Sequence, residues 1–302
     1  MTILADDESN RQPLSGLVPD EWAMSDDARA FVPGHVTGFF TVDRADDPTK
    51  TGSRGGGIAL SDGVSVTVEP AAETTVELDG ERVEMDAVER VLAALRASAR
   101  VTAETPLPLG AGFGVSGAMA LGTALAANAA FDRHLSYNEL VTIAHGAEVQ
   151  AGTGLGDVVG QARGGVPLRL EPGGPQHNDV DAIPARARVE YHTLGELSTA
   201  DVVGGDTETL TRAGERALSM VVEDPTLDTV TRASRQFSRE AELLTEAVQA
   251  VIRDVTEAGG DAAMAMLGET VFSFGTGLTD AGYDASVCEV YPPGATVENG
   301  PS

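Results

Sequence analysis

Alternation of apolar and polar residues predicts a strand-rich start to the chain. Residues 64–68 read Val-Ser-Val-Thr-Val, and this period of two places every second side chain on the same face of a strand. The strands predicted in the first part of the chain are residues 29–32, 36–42, 55–60, 64–69, 74–78 and 100–104.

Apolar residues at helical spacing first occur within residues 85–99. There they recur every three or four positions, which gives a helix one buried face: Val88, Val91, Leu92 and Leu95. The pattern predicts further helices at 115–131, 136–151, 206–222 and 226–257, and further strands at 164–170, 187–194, 270–274 and 286–291.

The order of these elements favours an α+β protein with two domains. The first half is rich in strands and the second half is dominated by helices, so we place an N-terminal domain at 24–170 and a C-terminal domain at 171–302. Residues 1–23 are polar and have no periodicity, and we interpret them as an extension outside the folded protein.

The charge balance excludes several classes of function. The 302 residues include 20 Lys+Arg and 47 Asp+Glu, a formal charge of −27, and Lys50 is the single lysine. A protein that binds nucleic acid or an anionic membrane needs a basic patch, which this chain lacks. The excess of carboxylates with almost no lysine suggests a halophilic protein, because molar salt shortens the Debye length to about 3 Å and screens such a surface.

Other features point to the cytoplasm. No run reaches the roughly 18 apolar residues that a membrane span requires. The single cysteine, Cys288, excludes a disulfide framework and a cysteine-based zinc site, and it fits a reducing compartment. We therefore expect a cytoplasmic protein that binds neither nucleic acid nor a membrane.

The most informative segment is a glycine-rich loop, which reads Pro-Leu-Gly-Ala-Gly-Phe-Gly-Val-Ser-Gly-Ala over residues 108–118. Glycines let the backbone approach a ligand, and the predicted helix that follows would present its free amides there. Amides at a helix N-terminus form an anion site without a cationic side chain. The loop therefore predicts phosphate binding.

Other interpretations of this loop are weaker. Residues 112–117 match the dinucleotide fingerprint G-x-G-x-x-G, but Pro106 and Pro108 interrupt the strand that should precede it. No lysine closes a Walker A loop, and Ala118 stands where a hydrolase elbow needs glycine. A glycine-rich turn without a ligand is the remaining alternative.

A pair of carboxylates follows the loop. Glu148 falls on the apolar face of the predicted helix 136–151, where a carboxylate needs a metal or a donor, and His145 lies one turn earlier. Asp157 follows in a turn with three glycines. Phosphoryl transfer needs a metal ligand and a group that receives or orients a hydroxyl proton. The alternatives are that Glu148 pairs with an arginine between helices and that Asp157 caps a helix.

The loop resembles the signature P-x-x-x-G-L-G-S-S-A of the GHMP kinases, with Phe113 for Leu and Val115 for the first Ser. The resemblance implies that the loop wraps the phosphates of ATP, that Ser116 and Glu148 hold Mg²⁺, and that Asp157 is the catalytic base or orienting group. The ATP-binding residues that it implies are Pro108, Gly110, Ala111, Gly112, Phe113, Gly114, Val115, Ser116, Gly117 and Ala118.

Two further segments, 31–40 and 153–158, are similar to the archaeal pantoate kinases, and the resemblance extends over about 29–172. It implies that substrate is bound by His35, Thr37, His145 and Arg169. Arg169 could instead be a surface charge at a strand end, and Thr37 an ordinary strand residue. Residues 263–272 depart from the glycine-rich third motif of the GHMP kinases, and Met264 and Met266 are expected in the core.

The resemblance implies a two-domain GHMP-kinase fold, with an N-terminal β/α domain that carries the phosphate loop and a C-terminal ferredoxin-like α+β domain. The expected activity is ATP- and Mg²⁺-dependent phosphorylation of pantoate to 4-phosphopantoate in coenzyme A synthesis, by a monomer or a homodimer. The alternatives are a GHMP kinase for another small alcohol (homoserine or a mevalonate derivative), a nucleotide-binding regulator without catalysis, and a dinucleotide-dependent oxidoreductase.

Overall fold

A computed structural model of the chain describes residues 28–196, 207–266 and 268–298. The predicted extension at 1–23 lies outside these residues. Within them, the first sheet has the strand order β12-β1-β2-β5-β3-β4. Strand β6 pairs with the first two residues of β2, and β7 pairs with β6. Its strands are β1 Ala28–Phe40, β2 Gly55–Pro70, β3 Thr75–Leu78, β4 Glu81–Arg82, β5 Ala99–Glu104, β6 Val166–Glu171, β7 Asp179–Ile183 and β12 Thr296–Glu298.

Strands β1 and β2 are longer than predicted, because each joins two of the predicted strands into one. At the break in the pattern of β1 the two strands form a bulge: Pro33 pairs with Gly63 whereas Gly34 pairs with Leu60, so the extra residues lie on β2. A bulge bends a strand without ending it. The half of β1 that follows the bulge runs beneath the glycine-rich loop, and there the amide of His35 donates to the carbonyl oxygen of Phe113 at 2.9 Å.

Four helices accompany the first sheet: α1 Asp86–Ala94, α2 Val115–Ala130, α3 Tyr137–Ala151 and α4 Asp157–Arg163. Helix α2 is buried on nearly all sides and packs on β1, β2 and α3, which explains its run of Ala, Gly and Leu. Helix α3 begins with a capping box formed by Ser136 and Glu139. Helix α4 was not predicted, because a glycine-rich turn precedes it and it is only 7 residues long.

The second sheet is antiparallel and confirms the ferredoxin-like topology. Its order is β11-β8-β10-β9, and the chain runs strand, helices, strand, strand, helix, strand. The strands are β8 Arg188–Glu196, β9 Ala262–Ala265, β10 Gly268–Phe274 and β11 Ser286–Glu289, and the helices are α5 Glu208–Glu223, α6 Leu227–Glu240, α7 Glu246–Glu257 and α8 Gly277–Asp280.

One helix predicted in this half is two. Residues 226–257 contain a break after α6, where Glu242 has a positive φ of 57° and Thr245 caps α7 by accepting from the amide of Val248. Among the helices of the described ranges, none is long and apolar enough to cross a membrane.

Strand β1 of the first sheet also contacts elements of the second sheet. Helix α6 packs against both β1 and β9, and the amide of Met266 donates to the carbonyl oxygen of Thr37 at 2.7 Å. Strands β7 and β12 come from beyond residue 170 but pair in the first sheet. The division at 170/171 therefore stays a prediction, and the chain crosses between the sheets more than once.

Candidate active site

Three glycines shape the loop before α2. Gly110, Gly112 and Gly114 have φ values of 78°, 90° and 63°, which only glycine adopts without strain. The protein holds the loop by its carbonyl oxygens. That of Ala111 accepts from Thr270 Oγ1 at 2.9 Å, and that of Gly114 accepts from Gln161 Nε2 at 2.8 Å. The carbonyl oxygen of Phe113 accepts from β1, as described above.

The amides of this loop are free. Within the described part of the chain, no group accepts a hydrogen bond from the amides of residues 112–117, and α2 has no side-chain cap. The positive end of the helix dipole adds to these donors. This geometry suits an anion such as a phosphate chain.

The side chain of Phe113 faces the protein. It is 1% exposed and meets the ring of Tyr191 on β8, with the ring centroids 4.8 Å apart. Phe113 thus anchors the loop to the second sheet, and it can offer a ligand only its backbone. Met264 and Met266 are buried in the core, as the sequence predicted.

Glu148 on α3 lies directly below the start of α2. Its Oε1 accepts hydrogen bonds from Ser116 Oγ at 2.6 Å and from Thr153 Oγ1 at 2.7 Å. Burial raises the pKa of Glu148 to about 7, although these two hydroxyls favour its charged form and the nearby Asp157 disfavours it. Its described partners are hydroxyls, so the alternative of a pair with an arginine is wrong.

The donors around Glu148 fit a hard divalent cation. Carboxylate and hydroxyl oxygens are the ligands that Mg²⁺ prefers, and Mg²⁺ commonly shares one or two carboxylates with substrate phosphates. A buried carboxylate beside free amides provides that arrangement. Ser116 and Glu148 are therefore able to hold Mg²⁺ next to a bound phosphate chain.

Asp157 is the first residue of α4, and only one of its two carboxylate oxygens makes hydrogen bonds in the described structure. Oδ1 lies 2.8 Å from His35 Nδ1 and accepts from Thr37 Oγ1 at 3.2 Å. Oδ2 has no hydrogen-bond partner among the described residues. The side chain makes no cap bond, since Gly156 occupies the cap position. The alternative of a helix cap is therefore wrong.

Burial would raise the pKa of Asp157, but the hydrogen bond from His35 and the charge of Arg169 hold the pKa below its usual range. The side chain keeps 21% exposure. The free oxygens of the two carboxylates approach each other at Gly154. A Cβ on Gly154 would lie 2.5 Å from Glu148 Oε2 and 3.6 Å from Asp157 Oδ2, so only glycine leaves this space open.

Arg169 on β6 is a buried cation without a carboxylate partner among the described residues. It is 2% exposed, its Nε donates to the carbonyl oxygen of Ser53 at 3.3 Å, and its Nη1 has no partner among the described residues. Burial lowers the pKa of Arg169, and the charge of Asp157 opposes that shift. Arg169 is thus not a surface charge at a strand end. An unpaired buried guanidinium is a receptor for an anionic ligand group.

His145 lies on α3 but contacts a different wall of the site. It is 1% exposed, and its Nε2 lies 2.8 Å from the carbonyl oxygen of Thr51. Burial lowers the pKa of His145, so the neutral ring donates from Nε2. It makes no hydrogen bond to Glu148 or Asp157 in the described structure.

Sequence reasoning missed two polar residues of the site. Ser53 is 3% exposed and lies between Arg169 and the turn before α4. Gln161, which holds the carbonyl oxygen of Gly114, would have required recognition of α4.

An open cleft of about 610 Å³ lies beside the start of the loop. Its walls come from β2, the turn between β3 and β4, and the end of β5. The residues that line it include Phe31, Asp62, Gly63, Asp79, Thr105 and Pro106. A ligand with phosphates on the loop could extend its other end into this cleft.

Comparisons with known proteins agree with this architecture. Residues 83–165 match the GHMP kinases N terminal domain. The chain is 32% identical over 259 residues to a pantoate kinase of Methanospirillum hungatei, which covers 82% of this chain and 86% of the relative. It is 30% identical over 249 residues to a pantoate kinase of Methanocaldococcus jannaschii, which covers 80% of this chain and 90% of the relative.

The chain belongs to the pantoate kinase family of the GHMP kinases. A solved structure described as a phosphotransferase related to the CoA biosynthesis pathway superposes with a TM-score of 0.81. It is 29% identical and covers 90% of this chain and 99% of its own. The family confirms the expected two-domain GHMP-kinase fold and a kinase activity, with ATP as co-substrate.

The burial of Glu148 generates a stability prediction. Folding raises the pKa of Glu148 from 4.5 to about 7. The contribution of its protonated form to the free energy of unfolding is therefore fully present below pH 4.5 and is lost as the pH rises through 7. In EDTA, Glu148→Gln should therefore be more stable than the parent at pH 8, by up to about 3 kcal/mol, and similar at pH 5. Urea unfolding at constant KCl measures this.

The exposed Glu89→Gln on α1 provides the matched control, which should change stability little at either pH. Equal destabilisation of Glu148→Gln at both pH values would contradict the raised pKa.

Proposed function

We propose that the protein transfers the γ-phosphoryl group of ATP to the primary hydroxyl of pantoate, giving 4-phosphopantoate for coenzyme A synthesis. One observation carries this proposal: Arg169 is buried without a carboxylate partner among the described residues, and its charge acts on Asp157, whose Oδ2 has no hydrogen-bond partner there. A cation for the substrate's carboxylate and a base for its hydroxyl suit a small hydroxy acid. Relatives named pantoate kinase support the same substrate.

The phosphates of ATP would bind the free amides of the glycine-rich loop. This accounts for nucleotide binding in a chain with a single lysine, because the amides and the dipole of α2 supply the positive potential. The open cleft beside Pro106 is where we place the base and ribose. Residues 108–118 then contact ATP mainly through their backbone.

Mg²⁺ would be held by Ser116 and Glu148. When bound, the ion would supply positive charge that neutralises the negative charge developing on the phosphates during transfer. The raised pKa of Glu148 implies that this residue must lose its proton to act as a ligand.

Asp157 would receive the proton of the pantoate hydroxyl at Oδ2. Its lowered pKa keeps it ionised at neutral pH, and Oδ2 has no competing donor in the described structure. As the hydroxyl oxygen bonds to the γ-phosphorus, the bond to the ADP oxygen breaks and ADP leaves. The base orients the hydroxyl for this in-line attack.

Arg169 would bind the carboxylate of pantoate, and a paired carboxylate would satisfy its free Nη1. His145 and Thr37 stay predicted substrate residues. His145 is hydrogen-bonded to the backbone at Thr51, so it would affect substrate binding by fixing the position of that segment.

A substrate panel tests the proposed function. Release of ADP and the ³¹P NMR spectrum of the product are measured with pantoate, homoserine and mevalonate in molar KCl. We expect phosphorylation of pantoate. We expect weak turnover of homoserine, because an ammonium group beside its carboxylate would bring a second positive charge close to Arg169. Preferred turnover of another alcohol would assign a different GHMP kinase. ADP formation with none of them would favour a nucleotide-binding regulator, and fluorescence-detected NADH binding would favour an oxidoreductase.

Asp157→Asn should fold but lose turnover by about 10²- to 10⁴-fold, because the amide cannot accept the hydroxyl proton. Steady-state kinetics and thermal unfolding measure the two properties. Asp86→Asn is a matched control, since Asp86 is likewise the first residue of a helix but is exposed. Full activity of Asp157→Asn would refute the role of Asp157.

Arg169→Lys should raise the KM for pantoate by about 10- to 100-fold and leave the KM for ATP unchanged, because an ammonium cannot bind a carboxylate with two parallel bonds. Arg100→Lys on β5, where Arg100 is exposed and pairs with Glu77, serves as control. An unchanged KM for pantoate would show that the carboxylate binds elsewhere.

The formal net charge of −27 supports a halophilic protein. Activity and stability that require molar KCl would agree with it, and full folding and activity without salt would contradict it. A cytoplasmic location and a homodimer stay predictions.

A further inference from the structure

The side chain of His35 is enclosed by the protein on all sides. Its side chain is 0% exposed, and the ring lies between two backbone segments at Gly57 on β2 and Gly160 on α4. A Cβ on Gly160 would come within 2.6 Å of His35 Nε2. The glycines on both sides therefore form a slot that the imidazole ring fills.

Within this slot only one ring nitrogen has a partner. Nδ1 lies 2.8 Å from Asp157 Oδ1, and Nε2 has no hydrogen-bond partner among the described residues. An ionised Asp157 can only accept, so Nδ1 carries the proton and donates it. Burial lowers the pKa of His35, which leaves a neutral ring with a bare Nε2.

The hydrogen bond selects which oxygen of Asp157 is used. His35 and Thr37 both donate hydrogen bonds to Oδ1, so the other oxygen, Oδ2, is available to a substrate hydroxyl. The remaining charged groups near Asp157 are Arg169 from β6 and Glu148 from α3, and neither makes a hydrogen bond to it in the described structure.

The backbone of His35 also connects β1 to the glycine-rich loop. Its amide donates to the carbonyl oxygen of Phe113, between two of the positive-φ glycines of the loop. One residue on strand β1 is thus bonded to the loop through its backbone and to the base through its side chain.

We infer that His35 is a positioning residue: it orients Asp157 and holds it in register with the phosphate loop, and it does not contact the substrate. This replaces the substrate-binding role that the family resemblance implied for His35. The inference rests on the proposed function, in which Asp157 receives the hydroxyl proton.

Two substitutions separate positioning from binding. His35→Asn keeps a donor close to the position of Nδ1, whereas His35→Leu fills the slot without one. We expect His35→Leu to lower kcat by about 100-fold with little change in either KM, and His35→Asn to recover most of kcat. The exposed His134→Asn serves as the matched control.

Thermal unfolding is recorded for each variant. A raised KM for pantoate with normal kcat in His35→Leu would show direct substrate contact and overturn the inference. Equal loss of kcat in both variants, with equally lowered stability, would show a purely structural role and also overturn it.

A second readout does not depend on turnover. Long-range ¹H–¹⁵N NMR of the 5 histidine rings, with His35→Asn for assignment, reports the tautomer of each ring. We expect His35 to be neutral and protonated on Nδ1 at pH 7. Protonation on Nε2 alone would overturn the inference even if pantoate is a substrate. If the enzyme does not phosphorylate pantoate, the proposed function fails, while the NMR result still decides the bond to Asp157.

Discussion

Three hydrogen bonds to the carbonyl oxygens of the glycine-rich loop are the interaction on which the rest of the site depends. They come from β1, α4 and β10, so both sheets take part in holding the loop. With its carbonyl oxygens engaged, the loop keeps its amides free for an anion. The same elements carry the other chemistry: β1 brings His35 and Thr37, and α4 brings Asp157. A shift of the loop would therefore move the base as well.

The site concentrates buried charge, and this opposes stability. Glu148 and Arg169 are both almost fully buried, and neither has an oppositely charged partner within salt-bridge distance in the described structure. A buried ion without such a partner costs several kcal/mol. Ligands would offset this cost by supplying the missing opposite charges, a cation for Glu148 and a carboxylate for Arg169. Glycines at 154 and 160 leave the necessary space, since side chains there would collide with Glu148 and His35.

Local patterns predicted much of this. Helices α2 and α3 match their predicted bounds to within one residue, and the residue types of the glycine-rich loop alone predicted an anion site there. What failed depends on distant contacts. His35 and Asp157 are separated by 122 positions, and no local pattern shows that one is bonded to the other or that the ring is enclosed by glycines. The bulge between β1 and β2 and the short helix α4 were missed because glycine and proline are typical of turns as well as of bent or closely packed elements. Ser53 was missed for the same reason.

The scarcity of lysine is compatible with phosphate chemistry, because backbone amides and a helix dipole can supply positive potential without a cationic side chain. The central claim is that one space receives the phosphates, the metal and a carboxylate-bearing alcohol. A crystal structure with a non-hydrolysable ATP analogue, Mg²⁺ and pantoate in molar KCl tests it most directly. We expect phosphates on the amides of residues 112–117 and Mg²⁺ on Ser116 and Glu148. We expect the carboxylate of pantoate on Arg169, with a hydroxyl at Asp157 Oδ2. Phosphates bound away from the loop, or pantoate bound away from Arg169, would contradict it.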